Sequence, residues 1–112
     1  MEGTRLTKVA RQIQKDLGEI FQRQSQSLFQ GKMITVTNVR VSPDLALAKV
    51  YLSIFPANGK EDILQQIKQN VKTIRHELAQ RIRNQMRIIP ELAFFIDDSL
   101  DYIENIERLL KE

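Results

Sequence analysis

Two neighbouring stretches of this chain admit little besides a β-hairpin. Residues 33–41 are rich in β-branched side chains, Ile34, Thr35, Val36, Thr37 and Val39, which suit a pleated, half-buried strand. Residues 46–55 follow with a period of two. Ala46, Ala48, Val50, Leu52 and Ile54 fall on one face, and Leu47, Lys49, Tyr51, Ser53 and Phe55 on the other. Between them Ser42-Pro43-Asp44 supplies a turn, proline fixing φ and the Ser or Asp side chain bonding back to the chain. The apolar phase of the first strand shifts from Ile34 and Val36 to Val39 and Val41. A strict period of two cannot accommodate that shift without a bulge near Asn38 or an end covered on both faces.

Helices flank the hairpin. Before it, Leu6, Val9, Ala10, Ile13, Leu17, Ile20 and Phe21 share one helical face, with Thr4 placed to cap the N-terminus and Gly31 marking the exit. Gly18 costs about 1 kcal/mol relative to Ala inside such a helix, and permits close packing. After the hairpin, Asn58-Gly59 sits in a loop, and Glu61 and Asp62 suit the positive end of a second helical region over residues 61–84. That region is long, and Gln69-Asn70 is the weakest place in its apolar pattern, so a bend is expected there. Pro90 cannot extend the helix, and residues 92–96 read as a third strand in which Phe94 and Phe95 point to opposite sides, at least one into the core. Phe55 is also expected to pack in the core under a helix. Asp97-Asp98-Ser99 offers caps for a last amphipathic helix with Tyr102 or Ile103, Ile106, Leu109 and Leu110 on one side. The order helix, strand, strand, helix, helix, strand, helix predicts an α+β two-layer sandwich, with residues 1–112 forming a single domain.

Several function classes find no support. Cysteine is absent, which removes thiolate nucleophiles and Cys-based zinc sites, and His76 is the only histidine. His76 is expected at the surface beside a basic stripe, and Asp97 and Asp98 are better explained as helix caps than as a carboxylate pair. No Walker A, Rossmann or Gly-x-Ser-x-Gly motif occurs, so neither an enzyme nor a cofactor or metal site is expected. No apolar run approaches the roughly 20 residues that span a bilayer, and the expected location is the cytoplasm, with no membrane partner.

Charge is where the sequence becomes specific. The whole chain carries +3, yet residues 68–87 hold six Lys/Arg against one acid, Glu77, a local +5. At 100° per residue Ile67, Val71, Ile74, Leu78 and Ile82 lie on one side of the helical region, with Lys68, Lys72, Arg75 and Arg83 along an adjacent stripe. Lys68, Lys72, Arg75, Arg81, Arg83 and Arg87 are therefore candidate phosphate contacts, supported by Lys8, Arg11 and Lys15 on the first helix. The same residues would serve as ordinary solvated surface. Near-exclusion of acids from 68–87 and a second basic helix favour a nucleic-acid-binding role. Tyr51 and Phe55, sharing a face with Lys49, could stack on bases. Residues 97–112 carry the opposite balance, −4, so the basic body ends in an acidic segment. Two other readings stay open: a general single-strand nucleic-acid binder, and a protein-interaction adaptor whose basic helix docks an acidic partner.

The motifs themselves resemble one family. Thr35-Val36-Thr37-Asn38-Val39, Val41-Ser42-Pro43-Asp44-Leu45, Ala48-Lys49-Val50-Tyr51, Ile74-Arg75-His76-Glu77-Leu78, Ile89-Pro90-Glu91-Leu92 and Phe94-Phe95-Ile96-Asp97-Asp98-Ser99-Leu100 are similar, in order and spacing, to the signatures of bacterial ribosome-binding factor A. The resemblance implies a type II KH-like domain with an added C-terminal helix. It implies a non-enzymatic, monomeric, cytoplasmic factor that takes no small-molecule substrate. Such a factor binds the free 30S small ribosomal subunit and its 16S rRNA, assists late maturation including trimming of the 5′ end, and supports growth in the cold. Two features depart from the pattern. The glycines stand at 3, 18, 31 and 59, so the Gly-x-x-Gly loop of ordinary KH domains is missing, and the family's Ala-x-Gly kink is matched by Asn70-Val71-Lys72. The link 83–87 is also slightly longer than the family's usual approach to Pro-Glu-Leu.

Overall fold

The computed structural model describes residues 2–29, 31–56 and 58–97. The elements run α1 (Glu2–Leu28), β1 (Met33–Val41), β2 (Leu47–Phe55), α2 (Lys60–Gln69), α3 (Val71–Ile82) and β3 (Glu91–Ile96). The three strands form one sheet in the order β1-β2-β3, with β1 antiparallel and β3 parallel to the central β2. This is the α-β-β-α-α-β order of a type II KH-like α+β sandwich. The expected helix after β3 lies outside the described residues.

The hairpin register explains the phase shift in β1. Val36 pairs with Leu52 and Asn38 with Tyr51, leaving Thr37 as the extra residue of a bulge. The bulge returns Val39 to the inner face beside Ile34 and Val36, all three buried. The Thr37 hydroxyl then lies 2.5 Å from the Asp97 carboxylate and 3.2 Å from the Tyr51 carbonyl, its one proton directed to the nearer carboxylate, tying the bulge to the end of β3.

The turn between β1 and β2 is held by two side chains. The Ser42 hydroxyl donates to Asp44 Oδ1 at 2.6 Å and accepts from Leu47 N at 3.1 Å, while Asp44 Oδ1 also accepts from Ala46 N at 3.1 Å. Leu45 adopts φ 62°, a left-handed conformation that this closed ring of bonds supports. The Ser42 hydroxyl, and after it the Ala46 amide, hold the Asp44 carboxyl below its ordinary value of 3.8.

The core fills the space between the sheet's inner face and the helices. Ala48, Val50, Leu52 and Ile54 of β2 meet Ile13, Leu17, Ile20 and Phe21 of α1 and Ile63, Ile67, Ile74, Leu78 and Ile82 of α2 and α3. Phe21 sits at the centre, 5.9 Å from the ring of Phe29 and 6.0 Å, edge-on, from that of Phe94. Phe29 follows α1 directly and is fully buried, a core position hidden in a polar stretch. Gly31, at φ 73°, reverses the chain into β1, as expected for the helix exit.

Two expectations, for Thr4 and Phe55, are corrected, and the bend expected at Gln69-Asn70 is found. Thr4 is not the N-cap, because α1 begins at Glu2 and Thr4 lies within its first turn. The region 61–84 is two helices, α2 and α3, meeting at Asn70 (φ −101°, ψ 14°). The Asn70 amide side chain donates to the Gln66 carbonyl at 2.7 Å, and its backbone N–H reaches the Gln66 and Ile67 carbonyls, so the break satisfies orphan groups of α2 without glycine. Phe55 is not in the core; it is 65% exposed, because burying Ala48, Val50, Leu52 and Ile54 turns the odd-numbered residues of β2 outward.

Phe21→Ala is expected to lower unfolding free energy by about 3–5 kcal/mol in urea titrations, the usual cost of emptying an aromatic site in a packed core. The turn makes a second prediction. Asp44 has a depressed folded pKa, so its contribution is present above pH 3.8 and is lost as pH falls through the folded value. An NMR titration should place the Asp44 midpoint below that of Asp44 in the Ser42→Ala variant.

Candidate nucleic-acid interface

The crossover from β2 to β3 places α2 and α3 beside the edge strand β3, and with them Lys68, Lys72 and Arg75. Lys68 lies in the last turn of α2 and Lys72 in the first turn of α3, both exposed on either side of the Asn70 break. Lys72, Arg75 and His76 line a groove of about 560 Å³ against Ile89, Glu91 and Leu92. Lys68 lines a smaller cavity of about 270 Å³ with Val71 and the strand residues Leu92, Ala93, Phe94 and Phe95. Arg83 is three turns from Lys72 and therefore on the same side of the helical axis; it is exposed just after α3, and Arg87 is exposed in the link to β3.

Two of the arginines are engaged by the fold itself. Arg75 donates from Nε to the Pro90 carbonyl at 3.0 Å and from Nη2 to the Ile89 carbonyl at 2.6 Å, pinning the link before β3 against α3. Arg81 is two and a half turns from Lys72 and leaves α3 on the opposite side, toward α1. There its Nη1 bonds Glu19 Oε2 and lies 3.6 Å from Asp16 Oδ1, with the Arg81 side chain 26% exposed. Gln24 and Glu77 continue this seam at 2.7 Å. The charge complement of Arg81 is thus met inside the molecule.

Lys8, Arg11 and Lys15 are exposed along α1, on the side opposite the buried Leu17. Lys15 borders a groove of about 600 Å³ between α1 and β1, lined also by Gly18, Glu19 and Lys32. The basic residues of α1 therefore stand at the β1 margin of the helical layer and Lys72 and Arg75 at the β3 margin, with the Arg81 seam between α1 and α3. His76 is exposed, its ring nitrogen 3.2 Å from the Gln80 amide. The structure also exposes Phe95 and Phe55 on the far face of the sheet; only the alternation of β2 and β3 could have signalled this.

The fold and the groove beside its edge strand define a KH-like class of α+β domain. The family model for ribosome-binding factor A matches residues 5–110, and the chain belongs to that family. It is 44% identical over 111 residues to ribosome-binding factor A of Christiangramia forsetii, covering 98% of this chain and 85% of that one. It is 46% identical over 112 residues to the factor of Cytophaga hutchinsonii, covering 100% and 84%. The crystal structure of ribosome-binding factor A from Thermus thermophilus superposes with a TM-score of 0.68 at 27% identity, covering 81% of this chain and 94% of that one. A homology model of the Thermus factor, fitted into a cryo-EM map of its complex with the 30S subunit, superposes with a TM-score of 0.62 at 28% identity over 80% and 91% of the two chains.

The two kinds of cation should separate in mutants. Arg81→Ala leaves the nearly buried Asp16 without its counter-charge and is expected to cost about 1–3 kcal/mol of stability. Lys72→Ala, with an exposed side chain, should stay within about 0.5 kcal/mol of wild type in the same denaturation experiment.

Proposed function

We propose that this chain binds the 30S small ribosomal subunit by laying the basic groove along β3 against 16S rRNA phosphates. Exposed Lys68, Lys72, Arg83 and Arg87 make the contacts, and Lys8, Arg11 and Lys15 extend the field from α1. Arg75 shapes the groove wall through its carbonyl bonds, and Arg81 keeps α1 and α3 in register. The observation that carries this reading is the groove beside β3, edged by Lys72 and Arg75 and continued by Lys68, in a member of the ribosome-binding factor A family. A relative is known in complex with the 30S subunit.

In this reading the protein acts by binding and not by catalysis, as a monomer in the cytoplasm. It recognises folded rRNA by shape and backbone, with little sequence readout. Occupancy of the immature subunit assists late 16S maturation, including access of nucleases to the 5′ end, and matters most in the cold, when misfolded rRNA is slow to rearrange.

Co-sedimentation with 30S subunits tests it. Wild-type binding should weaken steeply with salt, and Lys72→Ala with Arg83→Ala should reduce the slope of log affinity against log salt by roughly 1.5–2, near one for each lost phosphate contact. Binding indifferent to both the substitutions and salt would refute the proposal.

A further inference from the structure

The face of the sheet turned away from the helices is open among the described residues. Register places Tyr51 opposite Asn38 on one side and Phe95 on the other, and Lys49 opposite Arg40 and Ala93. The Tyr51 and Phe95 rings stack at 5.5 Å with 28° between their planes, and Phe95 is 42% exposed. A large ring left in water beside a nearly parallel partner presents a flat π surface.

The neighbouring row is unusual for a different reason. Arg40 and Lys49 are direct cross-strand partners, an arrangement of like charges that destabilises a sheet. Neither has an ion-pair partner among the described residues, and both are exposed. An anion lying over that row would relieve the repulsion. The platform is also joined to the basic groove, because the cavity holding Lys68 runs along β3 to Phe95.

We propose that this open face is a second RNA-contact surface, where Tyr51 and Phe95 stack on one or two unpaired bases and Arg40 and Lys49 hold the adjoining phosphate. The choice of RNA as ligand rests on the reading above; the site, on the opposite face of the sheet, does not. Flat rings beside exposed cations match a polymer that alternates bases with phosphates. An acidic peptide would use the cations but leave the ring faces idle. Contacts of this kind tolerate any base, since each has a π face. A single strand could pass from Lys68 and Lys72 around the edge of β3 and onto the platform.

The test is photocrosslinking of the full chain to a short oligouridine carrying 5-iodouridine, with affinities measured in parallel. The crosslinked peptide should contain Tyr51 or Phe95. The Tyr51→Leu, Phe95→Leu double variant should bind the oligonucleotide about tenfold or more weakly. Tyr51→Phe, which keeps the ring, should retain affinity and so separate loss of stacking from loss of fold. Lys72→Ala with Arg83→Ala should weaken 30S co-sedimentation yet leave the crosslink on the sheet, so the two sites can fail independently. Crosslinks confined to α2 and α3, or an affinity unmoved by the double variant, would overturn the platform. Binding that occurs only after removal of residues 98–112 would overturn it too, and assign the face to the chain's own acidic segment.

Discussion

Parallel pairing of β2 with β3 governs the rest of this molecule. A parallel neighbour cannot be reached by a tight turn, so the chain must leave Phe55, cross the sheet and return at Glu91 in the same direction. The crossing is made by α2 and α3, whose apolar side, Ile63, Ile67, Ile74, Leu78 and Ile82, is fully buried over the sheet. Burying that side fixes the rotation of both helices about their axes. It thereby decides which cations look outward beside β3 and which look toward α1. Charge placement follows from core packing, and the groove lies where β3, among the described residues, is the edge of the sheet.

The arginines show how differently one residue type is used. Arg75 and Arg81 each meet acceptors of the same chain, backbone carbonyls in one case and two carboxylates in the other. Their positive charge is partly spent on holding elements together. Lys72, Arg83 and Arg87 sit in water, where a lysine or arginine adds little to stability and is available for a partner. The local +5 of residues 68–87 therefore overstates what a ligand would meet.

Legibility in the sequence tracked how local each determinant is. The bulge at Thr37 was readable near Asn38 because a period of two breaks visibly, and the break at Asn70 because the apolar pattern thins at Gln69-Asn70. Phe29 and Phe55 were not readable. One is buried by a chain reversal at Gly31 and the other exposed because, among the described residues, no helix covers the outer face of β2, both facts of tertiary structure. Arg81 was grouped with the candidate phosphate contacts for a similar reason: its partners Asp16 and Glu19 lie more than sixty positions away, and no local periodicity could link them. Of the site itself, the identities of the cations and the helical side of Lys68 and Lys72 were legible in the sequence, while the wall contributed by Ile89, Glu91 and Leu92 needed the fold.

The junction at Asn70 bears on how such a surface meets its partner. Glycine at an elbow leaves the backbone many conformations, and a ligand that selects one must oppose that entropy. Here an amide clamps the last carbonyls of the preceding helix, so Lys68 and Lys72 are held at a set spacing before anything arrives. The corner is a bracket and not a hinge, and recognition at this point should proceed with little loss of chain freedom.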